Sequence, residues 1–297
     1  MKAAIVGVNG YLGQHLASYL IQLGWSVCGY GRQQHPFFQL NEYRICDVTS
    51  NDGFDNFDFN VDFIFYFSAV GGTTKAFNEY KQFIQVNEIG LLNLLSSAIK
   101  RSSNAHIAFP STRLIYKGNN FSALKEEDEK QFKSVYALNK WFGETILQQY
   151  SDYFNTNYTI YRLCIPFGNN FNEGYSYGTI GFFLSRAIQG KDIILYGDGN
   201  LKRTFTHVND FCCQITQSIS LIESKNTIYN LTGETYSLKE IAGLIANRYN
   251  VSVQYQEWPE IDLKLESGDT VFDGSKIEKL LNYKIKNTFL NWASELK

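Results

Sequence analysis

The stretch Ala3-Ala-Ile-Val-Gly7-Val-Asn-Gly10-Tyr-Leu-Gly13 decides how this chain is read. Ala3 to Val6 is an apolar run of strand length, and Leu12 to Leu23 continues with the apolar spacing of a helix. Between the two, glycines let backbone approach a ligand closely, while the start of the helix offers unpaired amides and the positive end of a dipole. The G-x-x-G-x-x-G spacing differs from the G-x-G-x-x-G dinucleotide fingerprint, yet the strand before and the helix after are the context a pyrophosphate site requires. Gly7, Gly10 and Gly13, with Tyr11 and Leu12 in the same turn, are therefore candidate cofactor-binding residues.

Working outward, short apolar runs alternate with helical patterns through the first half, which points to parallel βαβ units and an α/β, Rossmann-type doubly wound sheet. Further strands are expected at Ser26 to Tyr30, Tyr43 to Ile45, Asp62 to Phe67, His106 to Phe109 and Tyr158 to Leu163, with helices at Ala76 to Lys100 and Ser134 to Tyr150. Beyond Pro166 the glycine- and asparagine-rich Gly168-Asn-Asn-Phe-Asn-Glu-Gly174 reads as a loop near a boundary. The expected division is a dinucleotide-binding domain at 1–165, joined by about 204–226, and a smaller mixed α/β substrate-binding domain at 166–203 and 227–297. Within the latter, Gly197-Asp-Gly199 reads as a turn, and Ser237 with Glu240 has capping-box spacing.

The second informative stretch is Tyr136-Ala-Leu-Asn-Lys140. A tyrosine and a lysine four residues apart share one helix face, so the ammonium can favour the ionised phenol, which is the chemistry of proton transfer. At the end of the second strand, where the fingerprint expects an acidic residue about 20 residues on to hold an adenosine ribose, the chain has Gly31-Arg32. With no carboxylate to repel a 2′-phosphate and a guanidinium to bind it, NADP(H) is favoured over NAD(H).

Composition narrows the rest. With 297 residues, 44% of them hydrophobic, the chain can bury a substantial core, and its 20 Tyr and 23 Phe serve core packing with some left to line a sugar or base pocket. A formal net charge of -2 with scattered Lys and Arg carries no footprint for nucleic acid or an anionic membrane. Cys28, Cys46, Cys164, Cys212 and Cys213 show neither metal-ligand spacing nor a disulfide framework, so no metal is expected. The apolar run before Gly7 is too short for a signal-peptide core and nothing reaches the length of a membrane span, which leads to an expectation of a cytoplasmic protein.

Taken together, these motifs resemble those of the extended short-chain dehydrogenase/reductase family of nucleotide-sugar epimerases, dehydratases and ketoreductases. The resemblance covers nearly the whole chain and includes Asp47-Val48, Phe67-Ser-Ala69, Val86-Asn87-Glu-Ile-Gly90 and Pro110-Ser111-Thr112-Arg-Leu-Ile-Tyr116. It continues through Arg162-Leu-Cys-Ile-Pro166-Phe-Gly168, Gly197-Asp-Gly-Asn-Leu-Lys-Arg203 and Tyr229-Asn230-Leu-Thr-Gly233. What it implies is a Ser/Thr-Tyr-Lys triad of Thr112, Tyr136 and Lys140, with Asp47 and Val48 beside the adenine and Phe67, Ser68 and Ala69 passing the cofactor. It places Asn87 and Pro166 near the cofactor as well. Substrate would meet Ser111, Thr112, Arg113 and Tyr136, and Arg203 would hold the diphosphate. A homodimer is implied too.

Family dehydratases carry Asp-Glu after the catalytic threonine; here Arg113-Leu114 stands there, and leucine exchanges no proton. Among the remaining reactions, Gly31-Arg32 favours net reduction by NADPH of the 4-keto group of a nucleotide-diphosphate-linked 6-deoxyhexose, as used in surface polysaccharide. The alternatives are an NAD-dependent UDP-hexose 4-epimerase and a non-catalytic NADP-sensing protein. Ile165, where many family members have an asparagine near the diphosphate, leaves the substrate's pose open.

Overall fold

The computed structural model describes residues 1–171 and 177–296. In chain order, β1 (Lys2–Val6) runs into α1 (Tyr11–Gln22), followed by β2 (Ser26–Gly31), β3 (Glu42–Ile45) and β4 (Phe63–Tyr66). Next come α2 (Lys75–Asn78), α3 (Tyr80–Ile84), a π-helical turn at Gln85–Ile89, α4 (Gly90–Lys100) and β5 (His106–Thr112). A 3-10 turn at Arg113–Ile115 precedes α5 (Val135–Phe154), β6 (Tyr158–Leu163) and β7 (Ile165–Phe167). The remainder comprises α6 (Gly178–Ile188), β8 (Ile193–Tyr196), β9 (Lys202–His207), α7 (Val208–Ile219), a 3-10 turn at Ile222–Ser224, β10 (Thr227–Asn230), β11 (Glu234–Ser237), α8 (Leu238–Tyr249), β12 (Val253–Gln256), α9 (Glu260–Leu265), α10 (Ser275–Leu281) and α11 (Phe289–Glu295).

The expected doubly wound sheet is present: seven strands in the order β10-β6-β5-β4-β1-β2-β3, with β1 parallel to both β2 and β4. Ala3, Ala4, Ile5 and Val6 are all buried, which explains why β1 reads as an unbroken apolar run instead of an alternating one. From β1 the order proceeds to β2 and β3 on one side and to β4 and β5 on the other. Strand order therefore reverses between β1 and β4, and the carboxyl ends of those two strands form the crevice where open α/β sheets bind ligands.

The chain divides into two compact units. One comprises 1–115, 134–162 and 215–229, and the other 116–133, 163–214 and 230–297. Residues 116–133, inside the span read from sequence as one dinucleotide-binding region, thus fall in the second unit, as do 204–214. The first unit has the large sheet and a core that includes Val6, Tyr30, Ile64, Leu94 and Phe109. The second is built on a three-stranded sheet β11-β9-β7 and a parallel pair β12-β8, around Phe167, Phe205, Ile245 and Phe289.

One sequence expectation needs correction. The single helix at Ala76 to Lys100 is broken into α2, α3, the π-helical turn and α4, because the π turn carries an extra residue where Asn87 bonds the chain after β4. The smaller region after Pro166, expected as mixed α/β, contains β8, β9, β11 and β12, strands of four to six residues too short to show a period of their own. Both the Ser237–Glu240 capping box and the Gly197/Gly199 turn are found, the latter with φ of 66° and 68°. Residues 172–174 of the expected loop lie outside the described residues.

Helix α5 lies close against β5 at Gly143, where an added Cβ would stand 2.4 Å from Cζ of the buried Phe109. Gly143→Ala should therefore lower unfolding stability by about 1–3 kcal/mol through overpacking, read as a drop in the urea midpoint. An unchanged midpoint would mean that the ring yields freely.

Candidate active site

The glycine turn leaves β1 at Gly7, whose φ of +83° and lack of Cβ are both required: a Cβ would lie 2.6 Å from Ser68 N. Gly10 N–H donates to Gly7 O at 2.9 Å, and a Cβ at Gly13 would meet Gly7 O at 2.4 Å. Thus the turn is pressed onto both its own helix and the chain after β4, an approach side chains would block. Gly10 caps α1 without a side-chain bond, and the first turn holds no acid, so the dipole's positive end is not neutralised from within.

A cavity of about 230 Å³ opens beside this turn. It brings together Gly7, Gly10, Arg32, Val48, Phe67, Ser68 and Ala69, seven of the residues expected from sequence. Asn9, Gln33, Phe37 and Cys46 also line it and were missed, because nothing in their local pattern marks them. Burial pushes the Cys46 thiol up to about 12, with Asp47 adding to the shift, so it is a neutral wall and no nucleophile. Asp47 itself does not line the cavity; its Oδ1 accepts from Thr49 N and Oγ1 at 3.0 and 2.8 Å. Arg32 is exposed, and its guanidinium makes no hydrogen bond or ion pair among the described residues.

Asn87 is buried and clips the chain after β4: its Oδ1 accepts from Val70 N at 2.8 Å, and its Nδ2 donates to Val70 O at 3.0 Å. With its amide committed to backbone, Asn87 supports the Phe67–Ala69 segment by position. The same Nδ2 reaches Asn139 Oδ1 at 3.4 Å, next to Lys140 on α5.

The three residues of the expected triad sit where β5 meets α5. Ser134 caps α5, accepting from Ala137 N at 3.1 Å, which starts the helix just ahead of Tyr136. Tyr136 is half-buried, its ring edge-on to Phe83 with centroids 6.5 Å apart. Lys140 is buried, donates from Nζ to Pro110 O at 2.7 Å and lies 4.7 Å from the centre of the Phe109 ring. Thr112, two residues beyond Pro110 and also buried, accepts from Leu114 N at 3.3 Å, and its own hydroxyl proton is donated to no described residue. Ser111 Oγ is buried without any hydrogen-bond partner among the described residues. Such an orphan group costs about 1–3 kcal/mol and is accounted for if a bound molecule supplies its partner. Arg113 and Leu114 are half-buried in the 3-10 turn that follows.

Two expected site residues lie in the second unit. Pro166 is buried in β7, in register with Thr206. Arg203, expected to present its guanidinium to a diphosphate, is buried and already engaged. Its Nη2 meets Glu266 Oε1 at 2.6 Å, and its Nη1 donates to Lys202 O and Gly268 O at 2.8 and 2.7 Å. Glu266 Oε1 also accepts from Ser267 N and Gly268 N, so a carboxylate occupies a cluster of donors suited to an anion.

Burial drives the Lys140 ammonium from the ordinary 10.5 down to about 8, with Glu144 one turn on opposing the shift. Below that value Lys140 is charged, and above it the side chain is neutral. Because the unfolded chain keeps the proton up to 10.5, this group's contribution to stability should rise with pH between those limits. In NMR of the lysine Nζ groups, a signal that disappears in Lys140→Met should titrate near pH 8; a midpoint near 10.5 would refute the shift.

Comparison with known proteins adds to this geometry. The model of the NAD dependent epimerase/dehydratase family matches residues 3–232. A UDP-N-acetyl-alpha-D-glucosaminuronate decarboxylase of Bacillus cytotoxicus is 26% identical over 81% of this chain and 78% of its own. A dTDP-4-dehydro-6-deoxy-D-allose reductase of a Streptomyces species is 25% identical over 81% and 79%. Among solved structures, a Thermus thermophilus UDP-glucose 4-epimerase in complex with NAD superposes with a TM-score of 0.86 at 18% identity, covering 99% of this chain and 96% of that one.

Proposed function

The chain belongs to the NAD-dependent epimerase/dehydratase family of nucleotide-sugar-modifying enzymes, and we propose that within it this protein is an NADPH-dependent 4-ketoreductase of a nucleotide-diphosphate-linked 6-deoxyhexos-4-ulose. The observation that carries the reading is Arg32, an exposed guanidinium with no hydrogen bond or ion pair among the described residues, at the rim of the cavity beside the glycine turn. An unpaired cation there favours the cofactor with the extra phosphate, and that cofactor is the one drawn on for net reduction. Leu114, in the position where dehydratases need an acid or base, supports reduction over elimination.

The residues fit a dinucleotide: the glycine turn has the backbone closeness a pyrophosphate requires, and Val48, Phe67 and Ala69 supply apolar walls. Bound reduced nicotinamide would supply a hydride. Tyr136 gives its phenolic proton to O4 of the sugar as C4 is reduced, and Thr112 donates a hydrogen bond to the same oxygen. Lys140 holds the negative charge left on Tyr136 until solvent returns the proton. Ser111 and Arg113 offer further polar contacts to the sugar. Arg203 would take the diphosphate in exchange for Glu266, trading one anion for another.

Tyr136→Phe should cut turnover roughly 100- to 10,000-fold while the affinity for NADPH, measured by fluorescence titration, stays close to wild type. Undiminished turnover would sink the assignment. Following NADPH and NADH oxidation against dTDP-, CDP-, GDP- and UDP-linked 4-keto sugars should show consumption of NADPH with one of them. Interconversion of sugars with no cofactor consumed would instead establish the 4-epimerase, and cofactor binding without turnover would establish a sensing protein.

We also propose that the chain forms a homodimer through α2, α3 and α5, which leave Phe77, Tyr80, Ile84 and Leu138 exposed. Light scattering should give twice the 34.0 kDa of the chain, and Ile84→Glu with Leu138→Glu should halve it. A wild-type monomer would refute this.

A further inference from the structure

Asn9 lies between the glycines of the cofactor turn, yet none of its side-chain bonds is made within that turn. Its Oδ1 accepts from Phe37 N at 3.1 Å, and its Nδ2 donates to Gln33 Oε1 and to His35 O, both at 3.3 Å. The amide orientation is fixed by chemistry: a backbone N–H requires the oxygen, and a backbone carbonyl requires the nitrogen. All three bonds go to residues 33–37, the segment that follows Arg32 at the end of β2. Tyr43, on β3, holds the same segment from another side by donating its hydroxyl to Gln33 O at 2.7 Å.

This segment would otherwise have little to fix it. Residues 32–35 are exposed, and Phe37 at its far end lines the cavity with its ring more than half exposed. A long, flexible arginine at the start of a loose loop gives up much rotamer freedom on gripping an anion, which weakens the grip. A loop already bonded at three points gives that arginine a fixed base. Because Asn9 belongs to the turn that approaches the pyrophosphate, it sets the distance between the two ends of the adenosine site with a single side chain.

We propose that Asn9 is a specificity-determining positioning residue, which ties the 33–37 segment to the glycine turn and thereby shapes a site for the adenosine 2′-phosphate around Arg32. This rests on the NADP(H) reading above. The ligand recognised is a 2′-phosphorylated adenosine diphosphate, and Asn9 acts through the loop, without touching the phosphate.

The test compares two fragments by calorimetry on the full chain: 2′,5′-ADP, which carries the distinguishing phosphate, and 5′-AMP, which is identical except that it lacks it. Wild type should bind 2′,5′-ADP the more tightly. Asn9→Ala should weaken 2′,5′-ADP about tenfold, the effect of losing roughly one hydrogen bond's worth of ordering, while 5′-AMP changes less than about twofold. Asn9→Asp, which keeps the acceptor for Phe37 N but loses both donated bonds, should lose the preference as well, and Tyr43→Phe should lose part of it. Thermal melts of each variant identify any that fails to fold, and the ratio of the two affinities is a readout that general loosening would not move selectively. If wild type shows no preference for 2′,5′-ADP, the NADP(H) reading fails and this proposal with it. If wild type prefers 2′,5′-ADP and both Asn9 variants keep the full ratio, the proposal alone is overturned.

Discussion

A single hydrogen bond, from Lys140 Nζ to Pro110 O, registers α5 against β5, and the geometry of the triad follows from it. Pro110 is two residues before Thr112 on the strand, and Lys140 is four residues after Tyr136 on the helix. Fixing one pair of atoms across the two elements therefore fixes the other two groups. The bond does not act alone. One turn further, Gly143 lets the helix backbone approach Phe109, and Glu144 accepts from Arg162 of β6 through Nε at 3.0 Å and Nη2 at 2.6 Å. Both partners of that ion pair are 1% exposed, so neither charge can be removed without stranding the other, typically at about 3–5 kcal/mol. Helix α5 is thus held by a cation, a gap and an anion in succession along its inner face.

The same arrangement gives Lys140 its chemistry. An ammonium with one carbonyl, an aromatic face and a neighbouring carboxylate already paired to arginine is poorly compensated, which is why burial lowers its pKa. A lysine held so close to neutrality responds strongly to a new negative charge. In the mechanism proposed above the proton leaves Tyr136 on the preceding turn of the helix, and a nearby lysine cation stabilises a phenolate. The coupling needs both residues on one helix face and the helix firmly seated.

The sequence was legible where the chemistry is local. The glycines of the first turn are spaced by the turn itself, and Tyr136 and Lys140 by the pitch of a helix, so both could be found from a few adjacent letters. Most strands of the large sheet were legible because burial on both faces makes them continuously apolar. What escaped depends on partners far apart in the chain. Asn9 bonds residues 24 to 28 positions away, and Arg203 pairs with a glutamate 63 positions on. The π-helical turn was invisible for a related reason. Its extra residue serves a contact between Asn87 and Val70, and the apolar period on either side still reads as one helix.

Arg32 and Arg203 show how far a motif carries and where environment takes over. From sequence both were read as cations for phosphate. One is exposed and without a partner among the described residues; the other is 1% exposed and shares a carboxylate with two backbone amides. The first can bind an anion at little desolvation cost, because it has no bond to break. The second can do so only by exchange, and exchange is less costly than it looks. A buried guanidinium is stranded only if its counter-ion leaves without replacement, whereas a diphosphate arriving as Glu266 departs keeps the charge paired throughout. Glu266 is 16% exposed, so the departing carboxylate starts from a position already in contact with water. The exchange proposed above would therefore leave this cluster of donors filled at every stage.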